Sequence, residues 1–178
     1  MANVNALQNA AVASAALSPQ PKQHTDSETY SKGILGPVYF TLSKLNVQGS
    51  NTAPADLHQS QYIVASDEEF IISVDIEFNA SPLAKLLMCL GTTISVDFGF
   101  EGFGAAPEAD VKASIVTVKD TLTYTISKKL TPEQAKLTAG LYEIGATVTV
   151  GPGTHACDQY VYGYGYIEEI LLQVYPAM

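Results

Sequence analysis

Five stretches of this chain alternate apolar and polar residues with a period of two, and no other feature limits its fold as strongly. "FIISVDIEFN" sets Ile72, Val74, Ile76 and Phe78 against Ser73, Asp75 and Glu77. "TTISVDFGFEG" sets Val96, Phe98 and Phe100 against Ser95, Asp97 and Gly99. "PVYFTLSKLNV", "TLTYTISKK" and "LYEIGATVTV" repeat the pattern through Val38–Phe40–Leu42, Leu122–Tyr124–Ile126 and Tyr142–Ile144–Ala146–Val148–Val150. Successive side chains of an extended strand point to opposite faces, so each stretch has one apolar and one wet face. Repeated along a chain, this pattern predicts antiparallel sheets buried on one side. With "QYIVA", "VKASIVTV" and the C-terminal segments, about eight or nine strands are expected, a number suited to an all-β antiparallel β-sandwich.

Two segments break the period and read as short helical connections. "SPLAKLLMCLG" offers Ser81 as N-cap, Pro82 at the first helical position, a leucine stripe and Gly91 as terminator. "TPEQAKLTAG" opens on a capping box, Thr131 with Gln134, and closes near Gly140. The next segment, "LTAGLYEIGATVTV", resembles an immunoglobulin-like or fibronectin-like pattern, with a glycine turn ahead of a tyrosine near a strand start. The resemblance implies that the Tyr142 hydroxyl bonds back to the backbone at a corner between strands. The expected architecture is therefore immunoglobulin-like or jelly-roll-like, and the Cys…Trp…Cys core of antibody domains is absent because there is no tryptophan.

Residues 1–35 have a different character. Ala, Asn, Gln and Ser dominate to Ser18, and "PQPKQHTDSETYSKG" follows with turn and disorder formers. They read as a flexible or docking N-terminal arm, with residues 36–178 as a single β-sandwich domain. The formal charge is −9, and all 9 basic residues are lysines. Without arginine the chain lacks the bidentate fork for phosphate or guanine, and its acidity repels polyanions, so no nucleic-acid partner is expected. No apolar run reaches the length of a membrane span, so no membrane insertion is expected. The N-terminus has no basic leader region, which predicts a cytoplasmic protein, or a secreted one if a signal peptide has been removed. Cys89 and Cys157 are expected to be reduced and buried.

Catalytic constellations are missing from the sequence. His24, His58 and His155 fall in polar or glycine-rich stretches, and no nucleophile motif accompanies them. No enzyme is expected. Asp75 and Glu77 share one strand face, and Asp97 and Glu101 share another. If those strands pair, like charges stand opposite each other. A calcium ion held by Asp75, Glu77, Asp97 and Glu101 would neutralise them. The alternative is a solvated acidic face balanced by Lys112, Lys119 or Lys128. No other cofactor is implied.

"QYVYGYGYIEE" places Tyr160, Tyr162, Tyr164 and Tyr166 at alternate positions, with Gly163 and Gly165 between the last three. Read as one strand, it presents four phenols on one face and a bare face opposite. Three readings stay open: core packing, a protein–protein surface, and a platform for glycans or small ligands. Ile170, Leu172 and Val174 continue the tyrosine parity while Glu168 breaks it, so a bulge or bend is expected near Ile167–Glu169. The expected function is a non-catalytic interaction or assembly module that self-associates or binds a protein partner. The competing one is a glycan- or small-ligand-binding domain using Tyr160–Tyr166, with calcium assisting.

Overall fold

The computed structural model describes residues 30–33, 38–49 and 60–177. Of the expected arm, only Tyr30–Gly33 lies within that set, where it forms strand β1. The chain continues through β2 (Phe40–Gly49), β3 (Ile63–Ala65), β4 (Phe70–Phe78), α1 (Pro82–Leu90), β5 (Thr93–Gly102), β6 (Ala109–Val116), β7 (Thr123–Leu130), β8 (Gly140–Val150) and β9 (Gly163–Tyr175). A six-stranded sheet runs β1-β9-β8-β5-β6, with β3 added beside β9, and a three-stranded sheet runs β2-β4-β7.

The period-two stretches form these strands because each has an apolar set to bury. Ile72, Val74, Ile76 and Phe78 of one sheet and Val96, Phe98, Phe100, Ile144, Ala146 and Val148 of the other are buried in one common core. Phe70 meets Phe100 edge-on across the two sheets, with centroids 6.3 Å apart.

Two expectations need correction. The pairing is not uniformly antiparallel, because β3 runs parallel to β9, with Ile63 opposite Gln173 and Ala65 opposite Tyr175. Alternation specifies which face a residue takes and carries no information about strand direction. The second helix does not form. Its capping box is made, Gln134 N–H donating to Thr131 Oγ1 at 3.2 Å and Thr131 N–H to Gln134 Oε1 at 3.0 Å. Yet Lys136 turns to φ 61°, which halts propagation after one turn. Ala135 and Leu137 then enter the core from that turn. Helix α1 does form. Ser81 accepts from Ala84 N–H at 3.1 Å, and Gly91 ends the helix at φ 71°.

Two bulges adjust the parity of long strands. In β2 the register shifts between Ser43 and Asn46, with Lys44 at φ 51°, so Leu45 and Val47 reach the core where strict alternation would send Lys44 and Asn46. In β9 the shift falls where Ile144 pairs with Ile170 and Ala146 with Ile167, so 168 and 169 together face Gly145. This is the bulge that Glu168 signalled.

Tyr142 is fully buried at the start of β8. Its hydroxyl donates to Thr138 C=O and accepts from Thr138 N–H, both at 2.9 Å. The single turn before β8 is thus tied to the strand by one phenol.

Candidate functional site

Strand β9 begins at Gly163, so the tyrosine run is divided. Tyr160, 73% exposed, lies in the preceding loop. Tyr162 turns partly inward against the core, its N–H donating to Val150 C=O at 2.8 Å. Only Tyr164 and Tyr166 share a strand face, and it is the outward one, while Gly163, Gly165 and Ile167 face the core. The bare side of the run therefore lies against the opposing sheet. A Cβ on Gly165 would stand 2.8 Å from the Phe40 ring and 2.9 Å from Leu42 Cδ1. Glycine here lets a phenylalanine and a leucine press directly onto backbone.

The registers align the outward residues of β6, β5, β8 and β9 into rows. One row reads Ser114–Ser95–Thr149–Tyr164, and the next Lys112–Asp97–Thr147–Tyr166. A third reads Asp110–Gly99–Gly145, and a fourth sets Glu101 directly opposite Glu143. The glycines form a low floor. Tyr166 lies over Gly145, its ring and hydroxyl 3.0 to 3.4 Å from where a Cβ would be. An aromatic ring laid over a strand glycine shields the backbone that the missing side chain leaves bare. Asp110 approaches Gly99 from the other side.

The serine, threonine, Lys112, Asp97, Asp110 and Gly99 members of the first three rows line a groove of about 920 Å³, together with Ser127 and Lys128 of β7. A smaller recess of about 180 Å³ continues it beneath Tyr166, among Asp97, Glu101, Glu143 and Glu168. Tyr166 donates to Glu168. That hydrogen bond, then burial, then the charges of Glu168, Glu101 and Glu143 hold the phenol well above the usual tyrosine range. It therefore remains neutral and its orientation is fixed. Asp97 Oδ2 pairs with Lys112 at 3.2 Å, while its Oδ1 is shielded from solvent and has no hydrogen-bond partner.

The four carboxylates considered for calcium do not converge. Asp75 and Glu77 belong to β4 in the three-stranded sheet, and Asp97 and Glu101 to β5 in the six-stranded one. Helix α1 carries the chain from one sheet to the other between them. Among the described residues, no three or more His, Cys, Asp or Glu side chains stand where they could share a metal ion. Asp75 is instead held by its neighbours. Thr125 Oγ1 donates to it at 2.5 Å and Lys44 Nζ at 2.9 Å, and these bonds lower its pKa in that order of weight. A carboxyl depressed on folding stabilises fully above its unfolded pKa, about 3.9, and loses that contribution as pH falls through the lower folded value. Asp75→Asn is thus expected to lose about 1 kcal/mol at neutral pH through the Thr125 bond. Its melting temperature should converge on that of the wild-type chain as the pH is lowered below the ordinary carboxylate range. A gap independent of pH would contradict this.

Cys89 and Cys157 are both unpaired, as expected, but exposed rather than buried. The first lies on the outward side of α1, and the second in the loop before β9. Lys112 was expected only as a partner of the acidic face, and it does pair with Asp97, while Asp110, Glu143, Gly145, Thr147, Thr149 and Glu168 were not singled out as site residues. Their shared outward parity was visible, but the β6-β5-β8-β9 order that gathers them was not.

No helix among the described residues is long and apolar enough to cross a membrane. No protein-family model matches the chain, and no curated protein matches it. Among solved structures it is similar to a beta-glucosidase from Listeria innocua in complex with glucose, at 15% identity and a TM-score of 0.35. The similarity covers 82% of this chain and 16% of that one. At so low a TM-score it carries no argument about fold or activity.

Proposed function

We propose that this chain is a non-catalytic β-sandwich binding module whose outer sheet face takes a polyhydroxylated ligand of the oligosaccharide class. The observation that carries the reading is the content of the groove. Ser95, Ser114, Thr147 and Thr149 supply hydroxyls and Asp97 and Lys112 an ion pair, while Tyr164 and Tyr166 end the same rows beside the groove, Tyr166 over the adjoining recess. Apart from Leu171, which stands opposite Glu143 at the far end of the fourth row, these rows carry no aliphatic side chain. Pockets for apolar small molecules are lined mostly by hydrophobic groups, and the centres of protein interfaces are depleted in charge, so neither suits this surface. A sugar has ring faces of C–H groups for tyrosine and a periphery of hydroxyls for the polar rows. Glu101, Glu143 and Glu168 favour neutral or amino-bearing sugars over anionic ones.

A glycan array with neutral, amino-bearing and acidic oligosaccharides tests this. Binding is expected in the first two groups and not in the third. The double variant Tyr164→Ala/Tyr166→Ala should fold normally and bind about tenfold or more weakly, since each ring contributes roughly 1 kcal/mol. Binding confined to acidic glycans, or unaffected by loss of both rings, would refute the proposal.

A second reading, self-association, rests on other residues. Leu86, Val116, Val118, Tyr160 and Val161 are exposed apolar side chains on α1, on β6 and its outgoing turn, and on the loop before β9. Mass in solution across a range of concentrations decides it.

A further inference from the structure

Asp158, 0% exposed, is a buried carboxylate in the loop that leads to β9. Its Oδ1 has no hydrogen-bond partner. Its Oδ2 lies 2.7 Å from Thr92 Oγ1, which also stands 3.0 Å from Leu87 C=O. One hydroxyl proton serves two acceptors there. Thr117 Oγ1 is placed the same way, 3.4 Å from Leu87 C=O and 3.3 Å from Met88 C=O. Two hydroxyl protons are thus spread over three oxygens, of which Met88 C=O also accepts from Gly91 N–H at 3.4 Å, while Oδ1 receives none.

The location adds to the imbalance. Leu87 and Met88 are in the last turn of α1, whose carbonyls form the negative end of the helix dipole, and no basic residue occupies that turn. Gly91 C=O and Asp158 Oδ2 both crowd the side of Gly153, at 3.0 and 2.1 Å from where a Cβ would be. Tyr162 borders the carboxylate, and its hydroxyl also stands 3.4 Å from Cys157 C=O. Burial, then a side-chain hydrogen bond to Asp158 and that carboxylate's charge, push the phenol up to about 12, so it contributes no charge near neutral pH. Among the described residues no lysine or histidine forms an ion pair with Asp158. An isolated buried carboxylate costs several kcal/mol unless paired, and placing it at the negative end of a helix raises that cost.

We propose that Asp158 anchors a buried monovalent-cation site, of the sodium or potassium class, between the C-terminal end of α1 and the loop before β9. The oxygens present are a carboxylate, threonine hydroxyls and helix-end carbonyls, a donor set suited to hard cations. The single formal charge selects a monovalent ion, since a divalent one would leave a net positive charge buried. The ion would hold the 151–162 loop against α1, and so set where β9 begins.

Thermal melts of the full chain at neutral pH test this in sodium, potassium and tetramethylammonium chloride at equal ionic strength. In about 100 mM of the preferred small cation the midpoint should lie roughly 3–5 °C above that in tetramethylammonium, which is too large for a buried site. Asp158→Asn should melt alike in all three salts. Thr92→Val, which keeps the side chain's shape, should weaken the apparent cation affinity about tenfold. Equal wild-type midpoints in all salts would overturn the site. A salt difference that persists in Asp158→Asn would overturn it as well. Should either variant fail to fold, the wild-type comparison still decides.

Discussion

Gly165→Val should destabilise the protein by about 3 kcal/mol, although valine is among the best strand formers and glycine among the worst. Intrinsic preference predicts the opposite sign. The reason lies in what faces the position. A Cβ would already be within 2.8 Å of the Phe40 ring and 2.9 Å of Leu42 Cδ1, and valine adds two methyl groups beyond it. Phe40 has little room to retreat, because its ring packs on Phe78 at 5.5 Å between centroids, and Phe78 packs in turn on Tyr124 at 6.3 Å. Close-packed interiors pass such a displacement on to their neighbours. Tyr164→Ser, one residue earlier and facing outward, should cost about 1 kcal/mol or less, the usual value of a cross-strand pair. Urea denaturation with unchanged slope would measure both. A neutral Gly165→Val would mean that β9 does not press its glycine side on the core, and the placement of Tyr164 and Tyr166 on the outward face would fall with it.

Alternation assigns a face to each residue relative to its neighbours, and for β4, β5, β7 and β8 the apolar set was unmistakable. For β9 the two sets were four tyrosines and a pair of glycines, and amphipathic tyrosine leaves the buried side undetermined. The deciding residues, Phe40 and Leu42, lie more than 120 positions away in another sheet. Strand order was hidden for the same reason. Asp75–Glu77 and Asp97–Glu101 are consecutive acidic strand faces in the chain, yet α1 carries the chain between sheets and separates them. Local chemistry was easier to read. The Ser81 cap, the Thr131–Gln134 box and the bulge beside Glu168 involve near neighbours, so their signals survive without knowledge of the tertiary fold.

Tyr142 offers a long-range packing effect and a local hydrogen bond in one side chain. Tyr142→Ala should cost about 3–5 kcal/mol, the usual range for removing a large buried aromatic, and a substantial part of the stability of a domain this size. Tyr142→Phe keeps the ring and deletes only the hydroxyl that both donates to and accepts from Thr138. It should cost about 1–2 kcal/mol, because two backbone groups lose a partner but lie near enough to the surface for water to replace part of it. Thr138→Ala should change little, since both 2.9 Å bonds are made to its backbone. The Phe variant should also exchange the Thr138 amide proton faster, while amides in the middle of β8 stay protected. That local loosening matters because the turn ahead of β8 is not a stable helix. Lys136 halts it after one turn, and it is held by the burial of Ala135 and Leu137 and by this phenol. If Tyr142→Phe matched the wild-type chain in both stability and exchange, the hydroxyl would not be what secures the turn, and burial of Ala135 and Leu137 would have to hold it alone.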